Sequence, residues 1–278
     1  MIKLDKKDII KIIKYSNFSE ISSKAAEMSF YLLLSFFPFL IFTISSIVYI
    51  PVIHLKKYIT LLENLMPNSA FNVISILIDS AIDNRSISFL IMSFVLTLWT
   101  SSRGIKALIR GTNKSFRVTE TRSFIKISFI GFLFTIILIL LIFSSMIFLV
   151  YGEKIGYFIF KLIGLNNIFI KVWNIIRYSV GITTVIIILV SLYKYTPNKK
   201  VSIREVVPGS IVATFAWLLI SFVYSLYANN FSNYEVIYGS IAGIIVLMTW
   251  LYLSSWALFI GSEVNAKLYF RRKKSRNA

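Results

Sequence analysis

The stretch IYGSIAGIIVLMTWLYLSSWALFIG, residues 237–261, decides the fold class because its 25 residues include no charge. A helix of that length extends ~37 Å at ~1.5 Å per residue, which exceeds the ~30 Å hydrocarbon core of a bilayer. The stretch therefore predicts a transmembrane helix. Six basic residues follow it, namely Lys267, Arg271, Arg272, Lys273, Lys274 and Arg276. Because such clusters are retained on the cytoplasmic side, we expect the C-terminus to be cytoplasmic.

The composition excludes an ordinary soluble domain. Hydrophobic residues make up 57% of the chain, charged residues only 15%, and the mean hydropathy is +0.76. Soluble domains carry about 25% charged residues. Cysteine is absent, which excludes disulfides and thiolate metal sites. The first apolar run lacks the small-residue cleavage pattern of a secretory signal, so we expect the first span to remain in the mature protein.

The apolar runs predict an all-α polytopic membrane protein with six transmembrane helices and interfacial amphipathic helices. The six spans are expected at about residues 25–50, 86–102, 124–151, 172–193, 206–228 and 237–262, within a membrane domain of residues 25–266.

The segments outside these spans carry lysine, arginine and amphipathic patterns. Residues 1–24 predict an amphipathic helix on the anionic inner leaflet, with a solvated helix packed on the bundle as the alternative. Residues 55–66 and 70–82 predict two further amphipathic helices on the outer side. Residues 267–278 form a basic cytoplasmic tail.

The basic residues behind the net charge of +18 are distributed as expected for a membrane protein whose loops alternate between two sides. Six basic residues lie in residues 1–24, seven in 103–126, four in 194–205 and six in the tail, so 23 of the 30 lie on the predicted inner side. This distribution predicts six spans with both termini cytoplasmic. A nucleic-acid protein concentrates its basic residues in one patch or tail, so we expect no nucleic-acid partner.

Three sequence blocks carry a resemblance to a known family. They are AAEMSFYLLLSFFPFL (25–40), LWTSSRGIKALIRGTN (98–113) and the pair PGSIVATFAW (208–217) and YGSIAGIIVLMTWLYLSSWALFIGSEVNAKL (238–268). The chain resembles the YihY/BrkB family of bacterial inner-membrane proteins, which has sometimes been labelled ribonuclease BN. The resemblance implies six spans in the bacterial cytoplasmic (inner) membrane. It implies no established reaction, since members have been discussed as virulence factors and possible transporters.

The sequence gives no support for catalysis, so we expect that the protein is not an enzyme and needs no cofactor. Metal-dependent RNA hydrolysis requires a cluster of His, Asp or Glu, whereas His54 is the only histidine and no HxH or DxD pair occurs. A phosphate-binding GxxxxGK[ST] loop and a GxSxG nucleophile motif are also absent.

Polar residues recur near the predicted inner boundary of the bilayer. They are Glu27, Arg103, Asn113, Glu263 and Asn265. Charges close to hydrocarbon are costly unless they are paired or wetted, so this set is a candidate inner polar cluster that could form a gate or an ion or headgroup site. The alternative is that each residue caps its own helix or reaches the interface alone.

Two further features concern helix shape. Pro38 lies in the middle of span 1 and predicts a kink, with Ser35 available to satisfy part of the freed backbone. Gly239 and Gly243 form a GxxxG spacing that permits close helix packing, which we expect within the chain rather than in a dimer.

The first functional hypothesis is a transporter or channel for an ion, small solute or lipid. The alternative is a non-transporting membrane factor in envelope assembly or partner recruitment. The expected partners are the lipid bilayer and anionic lipids at the inner face, and the oligomeric state is left open.

Overall fold

The computed structural model describes residues 18–48, 86–162, 166–230 and 241–276. These residues are all-α, and six helices have the length and apolar composition needed to cross a membrane. The helices are α1 Phe18–Val48, α2 Ile87–Ser115, α3 Phe124–Leu162, α4 Asn166–Tyr195, α5 Ile203–Asn230 and α6 Ile241–Arg276. The predicted fold class of six transmembrane helices is confirmed. The predicted amphipathic helices at residues 55–66 and 70–82 lie outside the described residues.

Several helices extend beyond the predicted spans. α2 continues 13 residues past the predicted limit at 102, to Ser115, and α6 continues through the basic tail to Arg276. α1 already begins at Phe18. Between the predicted spans 124–151 and 172–193, α3 continues to Leu162 and α4 begins at Asn166. Basic residues mark a membrane boundary but do not end a helix, and the α2 and α6 extensions each keep a buried face. The buried side chains on them include Ile105, Leu108, Ile109, Val264 and Leu268.

Large apolar side chains cover the outward faces of the spans. Phe124, Ile125 and Tyr178 are 76%, 79% and 71% exposed within the chain. Such exposure would promote aggregation in water, but it matches contact with lipid acyl chains.

The chain divides into two compact units. Unit A comprises residues 19–48, 86–107, 217–230 and 241–256, and unit B comprises 108–162, 166–216 and 257–276, with Phe18.

Aromatic contacts and hydrogen bonds join the helices of unit A. The Phe42 ring on α1 lies 5.0 Å from the Phe94 ring on α2. The Ser22 and Tyr252 hydroxyls, on α1 and α6, are 2.6 Å apart. Tyr224 on α5 donates a 2.7 Å hydrogen bond to the Val246 carbonyl on α6. Contacts between side chains therefore hold four helices together in this unit.

Unit B contains a close crossing between α5 and α6 at two glycines. A Cβ built on Gly261 would lie 2.6 Å from the Gly209 carbonyl oxygen and 2.7 Å from the Ala213 Cβ. On the same stretch of α6, the Tyr193 hydroxyl of α4 donates a 2.6 Å hydrogen bond to the Leu258 carbonyl. α3 also packs against α4 in this unit. Only residues without a side chain allow the two helix backbones to approach this closely.

The proline near the start of α5 disrupts the helical hydrogen bonding, and α6 compensates for it. Pro208 has no N–H to donate to the carbonyl of Arg204, four residues earlier. That carbonyl instead accepts a hydrogen bond from Arg272 Nη1 at 3.4 Å. The next amide, Gly209 N–H, donates to the Asn265 Oδ1 at 2.7 Å. Two α6 side chains thus supply partners to the backbone around the proline.

The structure describes three of the four residues for which the sequence predicted a kink or close helix packing. Pro38 lies inside α1, and Ser35 donates to the Leu32 carbonyl at 2.8 Å rather than to Leu34, the carbonyl that Pro38 leaves without its usual partner. Gly239 lies outside the described residues. A Cβ built on Gly243 meets no described atom within 4 Å, so its packing role stays a prediction.

Replacing Gly261 with alanine should destabilise unit B. The new methyl group would be forced against the Gly209 backbone, and overpacking of this kind costs about 1–3 kcal/mol. We expect the variant, purified in detergent, to have a lower thermal midpoint of unfolding than the parent. The midpoint is measured by size-exclusion chromatography of samples heated to a series of temperatures. Gly181→Ala is the matched control, because a Cβ there meets no described atom within 4 Å. Equal midpoints for the two variants would contradict the close crossing.

Candidate functional site

The five residues of the predicted inner polar cluster divide between the two units. Glu27 and Arg103 belong to unit A, and Asn113, Glu263 and Asn265 belong to unit B. That the five residues form a single cluster therefore stays a prediction.

In unit A, Arg103 is exposed and its guanidinium carbon lies 4.4 Å from the centroid of the Trp99 ring. Glu27 is half-buried on α1. In unit B, Glu263 is half-buried and interacts electrostatically with Lys267, one helical turn later. Arg103 and Glu263 thus each interact with a residue one turn away on the same helix.

The two asparagines of the predicted cluster are buried, with relative exposures of 4% for Asn113 and 0% for Asn265. Asn265 accepts from the Gly209 amide, while its own Nδ2 has no hydrogen-bond partner within the described part of the chain. Asn113 donates to Glu120 Oε2 at 2.6 Å and accepts from the Asn198 amide at 2.6 Å. Both asparagines therefore hold backbone in place, one at the proline of α5 and one at an interhelical loop.

Asn113 belongs to a clasp that joins the α2–α3 loop to the α4–α5 loop. Within the first loop, Arg122 Nη2 binds Glu120 Oε2 at 2.6 Å. The same Nη2 donates to the Thr196 carbonyl, beyond the end of α4, at 2.7 Å. The Asn198 side chain donates back to the Thr119 carbonyl at 2.9 Å. We refer to Asn113, Glu120, Arg122 and Asn198 as the loop clasp.

The end of α2 has a specific backbone geometry that positions the clasp. The Val118 amide donates to the Asn113 carbonyl at 2.9 Å, and the Arg117 amide donates to the Lys114 carbonyl at 3.0 Å. This pair of hydrogen bonds is the Schellman arrangement, which requires a left-handed residue after the helix. Arg117 occupies that place with φ 53°, although glycine is the usual choice.

Aromatic side chains near the end of α6 contact both loops. Lys199 Nζ lies 4.3 Å from the Tyr269 ring centroid and 5.2 Å from that of Phe270. Arg117 lies over Phe270 at 5.6 Å, and the rings of Phe116 and Tyr269 meet edge-on at 6.0 Å. Cation–π contacts of this kind stabilise by about 0.5–1 kcal/mol each at exposed sites. The two loops and the α6 extension consequently lie at one end of unit B.

That end of unit B is strongly basic. Residues 108–126, 194–206 and 263–274 contain three acids, Glu120, Glu205 and Glu263. The same ranges contain fourteen basic residues, namely Arg110, Lys114, Arg117, Arg122, Lys126, Lys194, Lys199, Lys200, Arg204, Lys267, Arg271, Arg272, Lys273 and Lys274. The excess of eleven positive charges is the chemical signature of this surface, which we call the basic end.

The Glu120 carboxylate is held ionised by its partners. Its hydrogen bond to the Arg122 side chain is the largest influence, and the Arg122 amide and Asn113 add to it. Partial burial opposes these contacts, but the pKa of Glu120 still falls from 4.5 to about 2. The Glu120 carboxylate is therefore ionised at every physiological pH.

The interior of unit A is rich in hydroxyl groups. Its buried apolar residues among those described are Ile21, Ala25, Met28, Ile105, Ala107 and Ala242. Its buried hydroxyl residues are Ser29, Ser35, Ser45, Ser93, Thr97, Thr100, Ser102, Ser254 and Ser255. Nine hydroxyls against six apolar side chains, three of them alanine, leave little bulky aliphatic packing in the buried part of this unit.

Most of these hydroxyls are hydrogen-bonded to their own helix. Thr97 donates to the Ser93 carbonyl and Thr100 to the Leu96 carbonyl, both at 2.7 Å. Ser255 donates likewise to the Leu251 carbonyl at 2.8 Å. A hydroxyl whose proton is committed to the backbone still presents oxygen lone pairs to its surroundings. The buried face of unit A is therefore supplied mainly with acceptors.

Sequence reasoning did not find the loop clasp or this hydroxyl-rich interior. Glu120 is the only acid between residues 103 and 126, and this is the one sequence signal that points to the clasp. The spacing Ser93, Thr97, Thr100 places three hydroxyls on one helix face and could have been noticed. Among the described residues, no group of three His, Cys, Asp or Glu side chains is arranged to hold a metal ion.

Glu120→Gln should weaken the loop clasp in a pH-dependent way. Because the folded pKa lies below the unfolded value, the ionised carboxylate stabilises the fold above pH 4.5 and loses this effect as pH falls toward 2. We expect the parent protein to have the higher thermal midpoint at pH 7, and the difference from the variant to vanish between pH 4.5 and about 2. A difference that is constant across this range would contradict the ion-pair assignment.

Comparison with known proteins assigns the chain to a family. The family model described as Virulence factor BrkB matches residues 12–278. A ribonuclease-like protein, YfkH, of Bacillus subtilis (strain 168) is 36% identical over 251 residues, covering 90% of this chain and 91% of the relative.

Shorter matches link the chain to proteins named UPF0761 membrane protein. The one from Alteromonas mediterranea is 38% identical over 89 residues, 31% of this chain and 30% of the relative. The one from Pseudoalteromonas translucida is 38% identical over 77 residues, 28% of this chain and 26% of the relative. No solved structure matches the chain. The predicted resemblance is confirmed, and the chain belongs to the BrkB family of multi-pass bacterial membrane proteins.

Proposed function

We propose that this protein is a transporter or channel of the bacterial cytoplasmic membrane, with both termini in the cytoplasm. The observation that carries the proposal is the hydroxyl-rich interior of unit A, described above. Serine and threonine also serve ordinary helix packing in membranes, but nine buried hydroxyls against six buried apolar residues among those described give this unit an oxygen-rich face that a polar solute could use.

The chemistry of these hydroxyls favours a particular kind of solute. Because Ser93, Thr97 and Thr100 donate their protons to backbone carbonyls, their oxygens can act only as acceptors toward a ligand. Acceptor oxygens replace the hydration shell of a cation or bind the donor groups of a polar solute. We therefore favour a cation or a hydrogen-bond-donating solute over an anion.

The basic end of unit B supports the proposed orientation. An excess of basic residues in short loops and flanking segments marks the cytoplasmic side of a span. Here fourteen basic residues from two loops, the helix ends that flank them and the α6 extension contribute to one end, and the contact of Lys199 with Tyr269 joins a loop to that extension. The same surface is suited to anionic lipids of the inner leaflet.

We also propose that the chain is not a ribonuclease, despite the name of the YfkH relative. RNA hydrolysis needs a general base or a metal-bound water held by a cluster of ionisable groups. The sequence has one histidine and its twelve acids are dispersed. Degradation of a labelled RNA by the purified protein, abolished by a point substitution, would overturn this part of the proposal.

Thr97→Val should lower transport without unfolding the protein. Valine keeps the shape of threonine but removes the lone pairs, and the loss of about one hydrogen bond to the solute, ~1 kcal/mol, corresponds to about fivefold in rate. The measurement is flux of Na⁺, K⁺ and H⁺ and scrambling of labelled lipid in proteoliposomes.

Thr249→Val is the matched control for this experiment. Thr249 also donates to its own helix, at 2.6 Å to Ile245, but it is exposed on α6. We expect the control to retain the parent rate. Silence of the parent protein in every assay would reject transport and favour the envelope-assembly or partner-recruitment alternative.

Single cysteines should report the proposed orientation, because the native chain has none. Ser86 and Ser123 are both exposed and precede α2 and α3, where each hydroxyl accepts from an amide three residues later. We expect a membrane-impermeant maleimide to label Ser86→Cys in intact protoplasts or spheroplasts, and Ser123→Cys only after permeabilisation. The reverse pattern would place the basic end outside the cell.

A further inference from the structure

The exposed face of α2 carries an aromatic and a basic side chain stacked on each other. Trp99 is 51% exposed, and the Arg103 guanidinium lies over its ring at 4.4 Å. Lys106 follows three residues after Arg103 and is half-buried. Positions 99, 103 and 106 fall on one side of a helix because they are four and three residues apart. Trp99 and Arg103 are therefore exposed on one strip of unit A, and the half-buried Lys106 lies at the edge of this strip.

The flanking and opposite faces of the same helix are fixed in the protein. Ser102, Ile105 and Ala107 are buried, and the Cβ position of Gly104 lies 3.5 Å from Leu32 on α1. A helix anchored in this way cannot turn its exposed strip inward. The strip is thus presented by a rigid element rather than by a loop.

The electrostatic character of α2 is uniform. The helix contains Arg103, Lys106, Arg110 and Lys114 but no aspartate or glutamate along its 29 residues. Tryptophan prefers the membrane interface, where headgroups meet acyl chains, so Trp99 indicates the depth of the strip. Stacking uses the face of the guanidinium, whereas its N–H donors lie in the plane at the edge and suit two phosphate oxygens.

We propose that Trp99, Arg103 and Lys106 form a binding site for the phosphate of an anionic phospholipid. In this site Arg103 contacts the phosphate with its N–H edge, Lys106 adds a second positive charge, and Trp99 packs against the glycerol and upper acyl region. The proposal rests on the proposed function only in placing this end of α2 at the inner interface. It assigns a lipid to a surface and does not depend on transport.

The test uses the intrinsic fluorescence of Trp99 in the full-length protein. Subtracting the emission of the Trp99→Phe variant from that of the parent isolates this side chain. The protein is reconstituted in symmetric phosphatidylcholine vesicles that contain an equal small fraction of bromine-labelled phosphatidylglycerol or bromine-labelled phosphatidylcholine. We expect the anionic lipid to be enriched near Trp99 by about fivefold for one basic residue, which corresponds to ~1 kcal/mol.

Arg103→Ala and Arg103→Gln, each paired with a Trp99→Phe version, should lower this preference about fivefold, because each removes one basic residue and leaves Lys106 in place. Because each preference compares two lipids in one variant, a shift of Trp99 or a loss of protein affects both arms equally. Lys126→Ala, an exposed cation at the start of α3, is the matched control and should keep the parental preference.

Two outcomes would overturn the site. One is an equal preference in the parent and the Arg103 variants, and the other is displacement by inorganic phosphate, which would assign the strip to free phosphate. Since the vesicles are symmetric, neither outcome depends on orientation or flux, so this proposal and the proposed function can fail separately.

Discussion

A backbone amide or carbonyl that is buried needs a hydrogen-bond partner, and this constraint governs unit B at the proline of α5. Pro208 removes one helical hydrogen bond, and a buried group left unpaired costs about 1–3 kcal/mol. α6 supplies the partners, because Arg272 reaches the Arg204 carbonyl and Asn265 accepts from Gly209. Asn265 can approach Gly209 this closely because neither Gly209 nor Gly261 has a Cβ at the crossing. Proline, two glycines and asparagine are therefore one structural unit distributed over two helices.

Contacts between helices, such as these, explain why the sequence predicted the fold class but not the ends of the helices. Continuous apolar runs such as residues 237–261 specify spans directly, since length and the absence of charge are sufficient. The end of a helix depends instead on whether its next turn finds a packing partner. Val264 and Leu268 are buried among basic neighbours, so α6 continues to Arg276, beyond the membrane boundary that its charges mark.

The candidate site illustrates the same limit. Sequence placed Glu27, Arg103, Asn113, Glu263 and Asn265 at one depth, but depth does not specify the neighbours of a side chain, because the rotation of each helix about its axis is undetermined. Asn113 and Asn265 are used to bind backbone groups, which sequence spacing did not indicate. The loop clasp depends on contacts between residues more than 70 positions apart, such as Arg122 with Thr196, and no local pattern predicts those. The hydroxyl spacing on α2 was visible in the sequence, but its burial required the structure.

The length of α6 has a mechanical consequence for the protein in membranes of different thickness. Its 36 residues extend ~54 Å, well beyond the ~30 Å of hydrocarbon. Its C-terminal part packs in unit B through buried side chains such as Val264 and Leu268. Hydrophobic mismatch is normally relieved by tilting or by local deformation of lipid. If the end rich in arginine and lysine lies among headgroups, as the proposed orientation places it, a thicker or thinner bilayer would be accommodated chiefly in the opposite leaflet, around the N-terminal turns of the helix.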